Sequence, residues 1–275
     1  MPVVGTKELV GWLPTLLGIG DGASVVFPEC AYPTYEVGAL TSGARAVALD
    51  DPEAIPADAR LVWINSPANP SGRILSLDET RAFVAAARRV GAVLAGDECY
   101  GEFAWEAEPF SVLDPRVNDG DLTGLLAVHS LSKRSNAAGY RAGFVAGDPA
   151  VVQELVAARK HLGMMLPRPI QAAMAALLGD QEHVEEQRAR YLARRALLRP
   201  ALEAAGFRVD HSEGSLYLWA TRDEDCRTSV AWLAERGILA APGDFYGQAA
   251  ARHVRVALTA TDERIAAAAA RLSAR

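Results

Sequence analysis

Short, almost wholly apolar runs recur through the first 150 residues: Ser24–Phe27, Arg45–Leu49, Leu61–Asn65, Ala92–Ala95, Leu125–His129 and Ala142–Val145. Several lack the polar alternation of a half-exposed strand, and that continuity predicts strands covered on both faces. The stretches between them carry helix signals. Ser76-Leu77-Asp78-Glu79 has the form of a capping box, in which the serine and glutamate side chains each accept from the other's backbone N–H. It predicts a helix through Val90 that stops at Gly91. Asp148-Pro149 sets an N-cap before a proline at the first helical position and predicts a helix to about His161. Strands alternating with helices in this way predict an α/β fold built on a mainly parallel sheet with helices on both faces.

The pattern changes at Gly163-Met164-Met165-Leu166-Pro167-Arg168-Pro169. A long charged helix is predicted from Gln181 to about Ala204, with Val184, Tyr191 and Leu198 a heptad apart on one stripe. Pro200 lacks a backbone donor and is expected to kink or restart it. Strands follow at Phe207–Asp210, Leu216–Thr221 and Val254–Leu258, with helices at Ser229–Arg236 and Thr261–Arg275. The expected organisation is a large domain over residues 1–180 and a smaller C-terminal α+β domain over 181–275.

Composition narrows the function classes. The 275 residues carry a net charge of −6, which argues against a nucleic-acid partner. Cys30, Cys99 and Cys226 are odd in number and far apart, and the five histidines are scattered, so neither disulfides nor a metal site is expected. No apolar run reaches the roughly 18 residues that cross a bilayer, and Met1–Glu8 does not read as a secretory signal. A soluble, cytoplasmic protein is expected.

Ligands of open α/β sheets bind at the carboxyl ends of strands, and three such ends are polar. One strand runs into Asn65-Ser66-Pro67-Ala68-Asn69-Pro70-Ser71-Gly72, the next into Gly96-Asp97-Glu98-Cys99-Tyr100, and the third into Ser130-Leu131-Ser132-Lys133, followed by Gly139-Tyr140-Arg141-Ala142-Gly143. Singly, each has an ordinary explanation. Asn-Pro makes turns, and a strand-end Asp is often the next helix's N-cap. In this order, on successive strands, the set resembles the fold-type I pyridoxal-phosphate enzymes of the class I/II aminotransferase group, from Gly5 to about Leu258.

The resemblance implies pyridoxal 5′-phosphate as cofactor and a role for each motif residue. Lys133 would condense with the cofactor aldehyde, which requires an amine able to lose its proton near neutral pH. Asp97 would keep the pyridine nitrogen protonated. Asn69 and Tyr100 would donate to the phenolate oxygen, and Tyr32 would stack on the ring. Gly5, Thr6 and Lys7, which precede a helical stretch, would hold the phosphate with Ser130 and Arg141. Arg255, on the strand face opposite Val254 and Val256, would fork onto the substrate carboxylate, with Asn69 and Tyr32 lining the same site. Ordinary alternatives stand beside these roles: a plain N-cap for Thr6, a half-buried loop position for Tyr32, a solvent-facing arginine at 255.

Four stretches (Pro2–Gly18, Ala31–Gly43, Ser130–Asp148 and Arg159–Met174) resemble the actinobacterial-type N-succinyldiaminopimelate aminotransferases. That implies a homodimer moving an amino group from an amino-acid donor to a 2-oxo acid acceptor, with glutamate and 2-oxoglutarate as the common pair. Such proteins begin well before the residue matching Gly5. If the shorter start is genuine, exposed apolar surface, impaired dimerisation and weak turnover are expected. Two alternatives stay open: another class I transaminase or β-C–S lyase, and a non-catalytic cofactor-binding remnant.

Overall fold

A computed structural model describes residues 1–273 of the chain. Its larger sheet has seven strands: β1 (Pro2–Val4), β2 (Ser24–Phe27), β3 (Arg45–Ala48), β4 (Ala59–Asn65), β5 (Val93–Asp97), β6 (Leu125–Ser130) and β7 (Ala142–Gly147), in the order β1-β7-β6-β5-β4-β2-β3. Five neighbours, from β3 to β6, run parallel, while β7 is antiparallel to both β6 and β1. The six predicted strands are present, and β1 is an addition. It is three residues long and has no periodicity to announce it; pairing with β7 is what makes it a strand.

The helices are α1 (Thr6–Leu16), α2 (Thr34–Ser42), α3 (Leu77–Val90), α4 (Pro115–Asn118), α5 (Leu131–Arg134), α6 (Pro149–His161), α7 (Arg168–Gly179), α8 (Glu182–Ala204), α9 (Cys226–Glu235) and α10 (Asp262–Ser273). Ser76 caps α3 in the reciprocal manner its sequence predicts, and Gly91 ends the helix in the left-handed conformation. Asp148 accepts from Ala150 N at the start of α6. A second sheet, β10-β11-β9-β8, comprises β8 (Arg208–Asp210), β9 (Tyr217–Thr221), β10 (Ala241–Pro242) and β11 (His253–Ala257), all antiparallel.

Although the central strands are continuously apolar, the period of two still sorts their side chains. Val25, Leu61, Trp63, Ala95, Leu126 and Val128 face one layer with Leu9 and Leu13 of α1 and Tyr35 of α2. Val26, Val62, Ile64, Leu94, Leu125 and Ala127 face the other, against Phe83 and Val84 of α3. Each fully buried aliphatic side chain contributes roughly 1.5–3 kcal/mol. With both faces covered, the sheet is rigid, and its strand ends are fixed points.

The helix does not restart at Pro200: α8 continues through it to Ala204. Val184, Tyr191 and Leu198 are buried on one stripe, and Ala201 and Leu202 beyond the proline continue it into the core beneath the second sheet. Burial on both sides of Pro200 offsets the single backbone hydrogen bond it cannot make. The helix expected at Ser229 starts earlier, at Cys226, because Asp225 caps it through Arg227 N. The helix expected over Thr261–Arg275 is α10, and its last two predicted residues lie outside the described ones.

Candidate active site

The carboxyl ends of β4, β5 and β6 lie side by side, with Asn65 paired to Asp97 across β4–β5. They open onto a cavity of about 340 Å³. Its lining includes Thr6, Lys7, Tyr32, Asn69, Asp97, Tyr100, Ser130, Lys133, Arg141 and Arg255, which is every residue expected from the sequence except Gly5. Lys133 and Asp97, the two on which the expected chemistry depends, therefore face one space.

At one end Asp97 is 7% exposed. Its Oδ2 accepts from the Tyr35 hydroxyl at 2.7 Å, and its Oδ1 accepts from the Cys99 backbone N–H at 3.2 Å. Burial, and then the charge of Asp97, push the Tyr35 phenol well above its ordinary pKa, so Tyr35 stays a donor. The Asn65 amide donates to the Asp97 carbonyl at 2.8 Å, and its oxygen accepts from Asn69 N at 2.7 Å. One side chain thus ties the β4 loop to the end of β5.

At the other end lies the start of α1. Its N-cap is Gly5, whose side makes no capping hydrogen bond, so the first amides are free to meet an anion. Thr6 is the first helical residue and not the cap, which removes the ordinary explanation offered for it. Gly5 has φ +73°, and a Cβ there would lie 2.5 Å from Nη2 of Arg141. The positive φ favours glycine here, and a side chain would also push the Arg141 guanidinium aside. A Cβ at Gly143 would likewise come within 2.9 Å of Thr6 Cγ2. These two glycines let Arg141 and Thr6 close around one spot. Ser130 caps the single turn of α5, accepting from Ser132 N at 3.2 Å, and that turn presents Lys133, whose Nζ is 5.7 Å from the centre of the Tyr100 ring.

Arg255 enters from the second sheet. It donates to Asn69 Oδ1 at 2.7 Å, and its guanidinium carbon lies 4.0 Å from the Tyr217 ring centre and 5.1 Å from that of Tyr246. The solvent-facing alternative for Arg255 does not hold; it is half-buried and clamped. Four cationic side chains (Lys7, Lys133, Arg141 and Arg255) share this lining with the lone carboxylate of Asp97. The field they set up draws in anionic ligands.

A family model described as “Aminotransferase class I and II” matches residues 1–272. The chain belongs to the class I and II aminotransferase family. It is 60% identical, over 99% of its own length and 66% of the relative's, to a Mycobacterium tuberculosis protein named “Probable aminotransferase”. It is 58% identical, over 99% of its length and 76% of the relative's, to a 4-dedimethylamino-4-oxo-anhydrotetracycline transaminase of Streptomyces rimosus. Among solved structures, the N-succinyldiaminopimelate aminotransferase of Mycobacterium tuberculosis superposes with a TM-score of 0.90 at 26% identity, covering 99% of this chain and 76% of that one. The chain thus spans about two thirds to three quarters of the length of these proteins.

Class I and II aminotransferases work with pyridoxal 5′-phosphate, and the donor set here fits that group. The free amides of α1, the Ser130 hydroxyl and the Arg141 guanidinium suit a phosphate, and the glycines leave room where a Cβ would intrude. Lys133 suits an aldehyde, and a buried carboxylate suits a ring nitrogen that must hold a proton. Among the described residues, no group of three His, Cys, Asp or Glu is arranged to hold a metal, and no helix is long and apolar enough to cross a membrane.

Four neighbours of this aminotransferase cavity carried no role in the sequence: Tyr35, Asn65, Tyr217 and Tyr246. Tyr35 stands three residues after Tyr32, one helical turn away at the start of α2, a spacing that could have flagged it. Asn65 sits at a strand end beside motif residues. For Tyr217 and Tyr246 there was no local signal, because their meaning lies in what they touch. Asn69 meets Arg255, and Tyr100 meets the Tyr217 hydroxyl at 3.0 Å.

Proposed function

We propose that this chain acts as a pyridoxal-phosphate-dependent aminotransferase on amino acids and 2-oxo acids, alternating between donor and acceptor at one site. One observation carries it: the Lys133 amine, the Asp97 carboxylate and the Arg255 guanidinium line the same cavity. When bound, the cofactor supplies an aldehyde that takes up the amino group and a ring that draws electron density from the substrate α-carbon. Thr6, Lys7, Ser130 and Arg141, with Gly5 giving them room, would hold its phosphate. Asp97, kept in place by Tyr35, would stabilise a proton on the ring nitrogen. Tyr32 would pack on the ring, with Asn69 and Tyr100 donating at its edge. Arg255 would fork onto the substrate carboxylate and fix the α-carbon, and Lys133 Nζ would take the α-proton.

For the substrate, the four stretches that resemble N-succinyldiaminopimelate aminotransferases, and the structural likeness to one of them, support transfer between N-succinyldiaminopimelate and 2-oxoglutarate in diaminopimelate and lysine synthesis, by a cytoplasmic homodimer. The 58% identity to the Streptomyces rimosus transaminase favours a second reading, amination of a polycyclic ketone. Fold and cofactor residues do not separate the two.

The test is spectroscopic. The chain purified with pyridoxal phosphate should show a visible absorption band that Lys133→Ala abolishes. Glutamate and N-succinyldiaminopimelate should convert it to the pyridoxamine form. A band kept in Lys133→Ala would overturn the assignment of that residue. Pyruvate and ammonia released from cystathionine without an acceptor would mark a lyase, and a band unresponsive to any amino donor would mark a non-catalytic binder. Regeneration of the band by N-succinyl-2-amino-6-oxopimelate or by a keto-anhydrotetracycline separates the two readings.

A further inference from the structure

The antiparallel register of the second sheet sets Tyr217 opposite Ala257 and Trp219 opposite Arg255. Residues opposite one another point to the same face, so Tyr217 and Arg255 are diagonal neighbours on the face turned toward the cavity. Their partners on the other face, Leu218, Ala220, Val254 and Val256, are buried in the core and hold both strands rigid. Tyr217 makes two unlike contacts from this position. Its ring lies beneath the Arg255 guanidinium at 4.0 Å, and its hydroxyl lies 3.0 Å from that of Tyr100. Both phenols are buried.

Two facing phenols hold two protons and spend one on the bond between them. If Tyr217 donates, Tyr100 keeps its own proton to offer to the cavity; if Tyr100 donates, it offers only a lone pair. An anionic oxygen in the cavity selects the first arrangement, and an incoming bond from Tyr217 strengthens the outgoing one from Tyr100. The ring makes a separate contribution. Tyr217 and Tyr246 flank a guanidinium whose remaining freedom is taken up by Asn69.

We propose that Tyr217 is a positioning residue with two separable effects: its hydroxyl orients Tyr100 as a donor toward the cofactor, and its ring holds Arg255 in the pose that receives a carboxylate. This rests on the aminotransferase function proposed above. A residue serving only to fill the core would not separate the two effects.

The experiment compares the unsubstituted chain, Tyr217→Phe and Tyr217→Leu, each loaded with pyridoxal phosphate. Two quantities are read: the pH midpoint of the visible band, and the dissociation constant of 2-methylglutamate, which carries the carboxylate but no α-proton. Tyr217→Phe keeps the ring. It should raise the midpoint by about half a unit to one unit, the effect of weakening one hydrogen bond, and change analogue binding less than about twofold. Tyr217→Leu removes both contacts and should also weaken the analogue about tenfold, as expected for a desolvated cation–π contact. An unmoved midpoint in Tyr217→Phe, or equal analogue loss in both variants, would overturn the proposal. Tyr217→Phe alone decides the hydroxyl effect should the leucine variant fail to fold. Absence of the band from the unsubstituted chain would instead overturn the function and this role with it.

Discussion

The Tyr35–Asp97 hydrogen bond is the one we expect to cost most per atom removed. Tyr35 is fully buried and its hydroxyl donates to Oδ2 of Asp97 at 2.7 Å. Tyr35→Phe removes a single oxygen. The ring stays against Trp63, 5.1 Å between centres, and edge-on to Tyr32 at 6.0 Å, so no packing term changes. What changes is that a buried carboxylate oxygen loses its side-chain donor. Hydrogen bonds to charged groups contribute about 1.5–3 kcal/mol, so we take about 2 kcal/mol, near thirtyfold in the folding equilibrium. The assay is urea unfolding of the ligand-free chain at neutral pH for the unsubstituted protein, Tyr35→Phe, Asp97→Ala and the double variant. Because Asp97→Ala also releases the Cys99 amide, its own cost exceeds that of the shared bond. The interaction term of the cycle isolates the bond and should be about 2 kcal/mol. If the two single effects simply add, within about 0.5 kcal/mol, Tyr35 is not what holds Asp97.

Arg159 is 1% exposed, makes two 2.8 Å bonds to Glu8 and donates to the Met164 carbonyl. Arg159→Leu should destabilise the chain by about 2 kcal/mol, the loss of charged hydrogen bonds to a Glu8 that keeps some solvent access, with Glu8→Gln partly restoring it; a loss under about 0.5 kcal/mol in urea would refute this. Burial raises the phenol pKa of Tyr35, Tyr100, Tyr191 and Tyr246, the last to about 12. The folded state therefore keeps protons that the unfolded chain releases near pH 10. Stability from these groups is full below pH 10 and falls as pH rises beyond it. Near-ultraviolet titration should show these four phenols un-ionised at pH 10 until the chain unfolds, and titration of all tyrosines near pH 10 in the folded chain would refute it.

The larger sheet was legible because its signals are local. Continuous apolar runs, a capping box at Ser76 and an Asp-Pro start at 148 each decide their own few residues by backbone chemistry, and the strand ends at Asn65, Asp97 and Ser130 followed. The restart allowed for at Pro200 fails for the same reason. A local rule offered a kink or a restart, whereas continuity was decided by Leu198, Ala201 and Leu202 packing on a core assembled from distant segments. The strand β1 was missed because its three residues gain meaning only from β7, about 140 residues away.

The candidate site divides along the same line. Residues that line the cavity from a strand end or a helix start (Asp97, Lys133, Ser130) could be named from sequence, since the element that positions them is adjacent in the chain. The contacts through which one side chain holds another could not. Asn69 and Arg255 are 186 positions apart and meet at 2.7 Å; Tyr100 and Tyr217 are 117 apart and meet at 3.0 Å. Both contacts join a loop of the larger sheet to a strand of the smaller one. The groups proposed to face the cofactor's ring edge and the group proposed to face the substrate carboxylate are therefore not independent: a shift of β9 against the β4 and β5 loops would move Arg255 and release Tyr100 together. That coupling follows from the register of β9 with β11, because sliding either strand by one residue would turn Tyr217 or Arg255 into the core and bring an aliphatic side chain to the cavity.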